Sequence, residues 1–369
     1  MAPVAADRST PVKSLARTLA LLLATSVVRV DAAVVPWLYD VEVPVASQAE
    51  RQRAARTGLR ELLVRITGMA ELPANPEIQA ALREPEKYYG RFEFSMRSRP
   101  GRSQVSGDVD SDAPEQMVVA LHYEPATVLA LLRRAALPVW GADRPTVLVW
   151  VAVEQDGARR IVSASSGDEL LGSVRSRARE RGLVVSLPVM DLADHATTPT
   201  TVWGRFWAAI ESASARYNPD LIVVGRVVQR ADGVWVSDWE ARSAGVASLS
   251  HGRAAAAPQA VAAGVDTVAD ALAERFAVGG RLDAITVTIR GASTIAAYAS
   301  VLDYLRSREY IERMEVKAVA RDVLTLHLHS RSSVAQLEEL LSMGSPLAAV
   351  PVPDGQPTGS LEFAWAGDG

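Results

Sequence analysis

The chain contains no cysteine. Disulfides, thiol nucleophiles, Cys-ligated zinc and a lipid-modified N-terminal cysteine are therefore excluded, and a fold of this size must rest on its apolar cores. Lysine is scarce, present only as Lys13, Lys87 and Lys317, so arginine carries the positive charge. Where arginine is this common, a single Arg is a weak pointer to a phosphate or carboxylate site. The arginine- and alanine-rich composition reads as that of a GC-rich bacterial genome. A net charge of −4 and a pI near 5.8 give no field that would gather nucleic acid or an anionic membrane surface. Several recurrent motifs are also missing: Gly-x-Gly-x-x-Gly, the Walker loop, the Gly-x-Ser-x-Gly elbow, His-Glu-x-x-His and the paired Ser/Lys signature. Their absence removes the commonest nucleotide-, zinc- and serine-dependent enzymes and leaves no cofactor to expect. Past the N-terminus no apolar run approaches the roughly 20 residues of a membrane span.

What is present reads as ordinary globular protein, 369 residues at 49% hydrophobic and 22% charged, enough for two or three domains. Arg8, Lys13 and Arg17 precede the short apolar run Leu19 to Val28, and Val30-Asp31-Ala32-Ala33 offers small residues for cleavage. This is the grammar of a signal peptide over 1–33, with an uncleaved inner-membrane anchor as the alternative. The expected location is periplasmic.

The stretch Asn218 to Val228 predicts a strand buried on both faces, hence an α/β core at mid-chain. Around it the chain divides into an N-terminal α+β domain over 34–140, a central α/β domain over 141–279, a β-α-β-β-α domain over 280–345 and a flexible tail over 346–369. In the first, a strand at Trp37 to Val45 leads to a helix ending at Gly68, a second helix opened by Asn75-Pro76, strands at Tyr88 to Met96 and Gln116 to Tyr123 around a mobile loop over 98–115, and a helix from Pro125. In the second, Thr146 to Val153 is a strong apolar strand turned at Asp156-Gly157. Ser166 or Asp168 caps the next helix, an aromatic helix runs from Val202 to Tyr217, and Gly233 turns the chain into antiparallel strands. The expected fold class is α/β (α+β): three small units in series, with a three-layer mixed sheet in the middle unit.

Four constellations carry candidate chemistry. Asp191-Leu-Ala-Asp-His195 follows a strand that ends at Leu187-Pro188, which places it at the carboxyl edge of a sheet, where α/β proteins bind ligands. Asp191, Asp194 and His195 could bind a ligand or a divalent cation or perform acid/base work; alternatively the two aspartates make Asx turns and the imidazole is simply exposed. His327 and His329 share one face of a strand, as a zinc pair or the wet face of an open sheet. Trp203, Phe206, Trp207, Ile210 and Tyr217 recur at helical spacing, as core or as a surface that receives a partner. Ser165 to Asp168 is an anion-binding turn or an ordinary helix cap.

The texts Leu38 to Val45, Gly58 to Gly68, Pro188 to Asp194 and Arg216 to Arg226 resemble an uncharacterised family of exported proteobacterial proteins, the domain of unknown function 2066. The resemblance spans Trp37 to Leu341, and implies an envelope location without an activity or catalytic residues. The middle unit's element order is similar to the TolB N-terminal and penicillin-binding-protein-activator domains, an analogy of fold alone. The expected function is a non-catalytic interaction or envelope-assembly accessory role with an envelope protein as partner; the alternative is a ligand-binding protein or hydrolase built on Asp191 to His195.

Overall fold

The computed structural model describes residues 28–29, 36–98, 115–165, 168–243, 246–343, 346–351 and 359–367. Most of the expected leader and the interior of the 98–115 loop thus lie outside the described residues. The described part mixes helices and strands in an α+β fold, its strands forming three sheets.

Val28–Arg29 is a two-residue strand, β1. The first unit then runs α1 (Pro36–Tyr39), β2 (Asp40–Pro44), α2 (Arg51–Thr67), α3 (Pro76–Arg83), β3 (Tyr89–Ser98), β4 (Glu115–Tyr123) and α4 (Pro125–Arg134). Its antiparallel sheet has the order β2-β4-β3. Leu59, Leu62, Leu63 and Ile66 recur on one side of α2 and pack on Val41, Val119 and Leu121, which is the amphipathic pattern read from the sequence. Gly68 ends α2 at φ 71, a left-handed value that suits glycine, and the Asn75 side chain caps α3 by accepting from the amides of Glu77 and Ile78.

The second unit contains β5 (Thr146–Gln155), β6 (Ala158–Val162), α5 (Glu169–Arg181), β7 (Val184–Ser186), α6 (Pro199–Trp203), α7 (Trp207–Ser214), β8 (Leu221–Gln229), β9 (Trp235–Ser243), β10 (Val246–Ala254) and α8 (Ala257–Phe276). The order is β10-β9-β8-β5-β6, with β7 beside the first residues of β5. β8 is parallel to β5 and antiparallel to β9, so the stretch singled out in the sequence marks the change of direction. Asp220 fixes where β5 and β8 align, its carboxylate accepting from the amide and the hydroxyl of Thr146 at 2.7 and 2.8 Å. Gly225 is not a bulge. It lies directly across from Trp239, whose indole fills the space a side chain there would take, and Gly264 of α8 closes the other side of the same ring. Asp168 caps α5, the ordinary role weighed for Ser165 to Asp168.

The third unit is β11 (Asp283–Arg290), α9 (Ile295–Arg306), β12 (Ile311–Ala320), β13 (Val323–Ser330), α10 (Val334–Ser342), β14 (Leu347–Ala349) and β15 (Ser360–Trp365), in the sheet order β1-β12-β13-β11-β15-β14. The tail expected to be flexible supplies two of these strands. β15 lies parallel to β11 inside the sheet and buries Leu361 and Phe363, while buried Glu362 pairs with Arg290. The hydrophobic core is continuous from the α5/α8 side of the second sheet into the third unit, whereas the opposite side of the second sheet has a separate cluster around Trp150 and Ile210.

All three units meet at Arg144. Its guanidinium donates to the carbonyls of Arg65 (2.9 Å), Trp140 (2.7 Å), Gly141 (2.9 Å) and Gly182 (2.8 Å), and stacks 4.1 Å from the Trp140 ring centroid. Arg65 belongs to the last turn of α2 and Gly182 follows α5, so one cation serves the negative ends of two helices. Glu309 of the third unit accepts beside it from Tyr39 Oη (3.1 Å) and the Ala142 amide. Burial pulls Arg144 below the ordinary arginine range and pushes Glu309 above the ordinary carboxylate range. Every bonded partner of Arg144 is an acceptor, so the protonated form is the one the site holds. A second buried arginine, Arg181, links the Gly68 carbonyl of the first unit to Asp266 and Asp270 on α8.

Candidate interaction face and the acidic loop

Asp191 and Asp194 come together, but as a lock. Arg216 grips Asp191 with two parallel bonds of 2.6 and 2.8 Å, and Asp191 Oδ1 also accepts from the amides of Ala193 and Asp194, the Asx turn that was its alternative reading. Asp194 is fully buried; its Oδ2 accepts from Tyr217 Oη at 2.5 Å and from the Met190 amide at 2.9 Å, and its Oδ1 lies 3.4 Å from Arg216. Tyr217 Oη accepts in turn from the Val189 amide at 2.9 Å. The Arg216 bond holds the Asp191 carboxyl down to about 2, and burial together with the Asp194 bond raises the Tyr217 hydroxyl. The side chain of His195 lies outside the described residues. Among the described residues no group of three or more His, Asp or Glu side chains is placed to hold a metal ion.

The loop is also not where the sequence put it. β7 aligns its three residues with Thr146 to Leu148 of β5, whereas the carboxyl end of β8, at Val228, aligns with Glu154. Being so short, β7 releases the chain level with the middle of the sheet. There the loop folds over the Trp150 side: the Ala164 amide bonds to the Pro188 carbonyl, and Met190, at φ 60, packs against the Trp150 cluster, as do Trp203 and Tyr217. Val189 and Leu192 are left outside, Leu192 at 87% exposure.

The aromatic helix expected over Val202 to Tyr217 is broken. α6 stops at Trp203, Arg205 takes φ 53, and α7 begins at Trp207. The break splits the stripe. Trp207 and Ile210 stay buried, Trp203 is half-buried, and Phe206 turns outward at 59% exposure. Arg159 lies 4.4 Å and Arg226 5.9 Å from the centroid of Trp203, and Arg226 also donates to the Trp203 carbonyl. Arg242 covers Trp207 at 4.3 Å. Beneath them Asp238 and Glu240 of β9 pair with Arg205, Arg226 and Arg242, so the guanidiniums are held in place. The result is an aromatic and arginine surface on the same side of the sheet as the locked loop.

His327 and His329 lie together on the outer face of β13, half-buried, with Glu315 Oε1 3.2 Å from His329 Nε2. This is the open-sheet alternative. Sequence reasoning missed Arg144, Glu309 and the roles of Arg216 and Tyr217. For the last two a signal existed, since Arg216-Tyr217 abuts the strongest strand in the chain; for Arg144 none did among so many arginines.

Residues 32–141 match the family model described as Domain of unknown function (DUF8605). That segment is the first unit. It carries no assigned activity, and it is a different family from the domain of unknown function 2066 that the sequence resembles over Trp37 to Leu341. No curated protein matches the chain.

Proposed function

We propose that the protein is a non-catalytic periplasmic interaction or envelope-assembly accessory protein, and that the surface around Trp203 and Phe206 receives its envelope protein partner. The observation that carries this reading is Trp203 packed against two arginines with Phe206 exposed nearby. Tryptophan and arginine are the residues that most often dominate interface energetics, and a stacked, ion-paired arginine loses little freedom on binding. The alternative, a ligand-binding protein or hydrolase built on the acidic loop, would first need Arg216 and Tyr217 to release the two carboxylates. No described helix is long and apolar enough to cross a membrane.

The test is capture from solubilised envelopes by the tagged protein, compared with Phe206→Asp and with a version lacking the leader. The reading expects one or more proteins recovered by the wild type and lost with Phe206→Asp at unchanged melting temperature. Identical recovery by all three would overturn it. Export-reporter fusions active only in the cytoplasm would overturn the location.

A further inference from the structure

A different surface points to a specific occupant. In the first unit β3, ten residues long, is an edge strand of the sheet with no partner on its outer side among the described residues. Its alternation sets Phe92, Phe94 and Met96 on the face shared with Val119 and Leu121, and Arg91, Glu93, Ser95 and Arg97 on the other. Val119 and Leu121 are fully buried beneath the helical layer, but at the edge the cover runs out: Phe92 is 37% and Met96 51% exposed. Edge strands are normally blunted by proline, bulges or inward charges. β3 has no proline, its charged residues Arg91, Glu93 and Arg97 all share one face, and its one register shift lies at the far end, between Tyr89 and Arg91.

We propose that β3 pairs antiparallel with β3 of a second copy of this chain, about a two-fold axis through Ser95. Such an interface must be complementary to itself, and to keep like faces together only same-parity positions can oppose each other. An axis at Phe94 sets Arg91 against Arg97, and one at Glu93 sets that carboxylate against its own copy; like charges directly opposite are destabilising. An axis at Phe92 runs the pairing through the Tyr89/Arg91 irregularity. Axes beyond Ser95 shorten the overlap or set Arg97 against itself. At Ser95 each Glu93 opposes Arg97 of the second copy and each Phe94 opposes Met96, twice over by symmetry, while the partner position of Arg91, residue 99, falls past the end of β3 and outside the paired stretch. Within its own sheet Glu93 faces only Ala120, so the pairing supplies its cross-strand cation. Arg97 already leans on Glu42 at 2.6 Å with both side chains exposed, and its guanidinium has donors for a second carboxylate.

The absence of cysteine makes the register directly testable, because Ser95→Cys would carry the sole thiol, opposite itself across the axis and within disulfide reach. The experiment measures sedimentation equilibrium of the full chain over a concentration series, with circular dichroism to establish that each variant is folded. Expected are a dimerising wild type, dimerisation about tenfold weaker in Glu93→Arg, recovery when Glu93→Arg is mixed with Arg97→Glu, and covalent dimers of Ser95→Cys under mild oxidation. Thr325→Cys, on the outer face of the third sheet, is the control that dimerises like the wild type but forms no covalent dimer. A wild type that is monomeric throughout would overturn the proposal and leave the edge to another partner or none. A dimer indifferent to Glu93→Arg, with Ser95→Cys cross-linking no faster than Thr325→Cys, would overturn it as well.

Discussion

Replacing Arg144 tests whether one side chain ties the first two units together beside Glu309 of the third. Arg144→Met keeps the aliphatic bulk but withdraws the guanidinium from four carbonyl oxygens contributed by three segments, Arg65, Gly182 and the stretch Trp140–Gly141. Charge-assisted bonds of this kind contribute about 1.5–3 kcal/mol each, though members of one network do not add. A second consequence is that buried Glu309 loses the favourable charge of Arg144. Removing one member of a buried charged network typically costs about 3–5 kcal/mol, and that is the loss expected here, a large part of the roughly 5–15 kcal/mol that keeps a protein folded. Arg144→Lys should fall between: it keeps the charge, but a compact ammonium cannot span acceptors that a planar fork reaches together. Urea unfolding followed by far-ultraviolet circular dichroism reads the loss as a lower midpoint at similar slope. If Arg144→Met unfolds within about 1 kcal/mol of wild type, roughly the noise of such measurements, the assignment of Arg144 as the junction's anchor is refuted.

Other outcomes follow from single contacts. Gly264→Ala places a methyl group into the Trp239 indole and should cost about 1–3 kcal/mol or more in thermal unfolding; Gly264→Ala combined with Trp239→Leu should recover part of it. Asp194→Asn keeps the shape but weakens the bond from Tyr217, so hydrogen exchange at the Val189 and Met190 amides should quicken while the β5 and β8 amides stay protected. Asp191, held below the ordinary carboxylate range by Arg216, contributes stability that is present above its unfolded value and lost as pH falls toward about 2. Acid titration should therefore loosen the loop only in that interval, and Arg216→Gln should move the loosening upward in pH. An unshifted profile in Arg216→Gln would show that the pairing does not hold the loop.

The parts of the fold visible in sequence were those written in local pattern. β5 and β8 are long apolar runs, the Asp156-Gly157 hairpin takes positive φ at both residues as its turn type requires, and the caps at Gly68, Asn75 and Asp168 all form. What escaped was set by distant chain. Trp203 and Trp207 look like one helical stripe until Arg205 is drawn to Asp238 and Glu240 of β9, and no local signal reports that pull. Leu361, Phe363 and Trp365 do alternate like a strand, but their Pro/Gly-rich approach masked them, and only β11 supplies their place in the sheet. Asp191 and Asp194 were rightly grouped; their spacing could not reveal that Arg216 and Tyr217 would occupy them.

The position of β15 has a consequence for the order in which the third unit is made. β14 has no sheet partner other than β15, and β15 is the last described strand, slotted between two that precede it. Without it, β11 keeps an open flank and β14 has no strand to pair with among the described ones, so the sheet is complete only once β15 is seated. A chain passed across a membrane amino end first would hold that slot vacant throughout transit, and sealing it would be the step that commits the unit to its finished form.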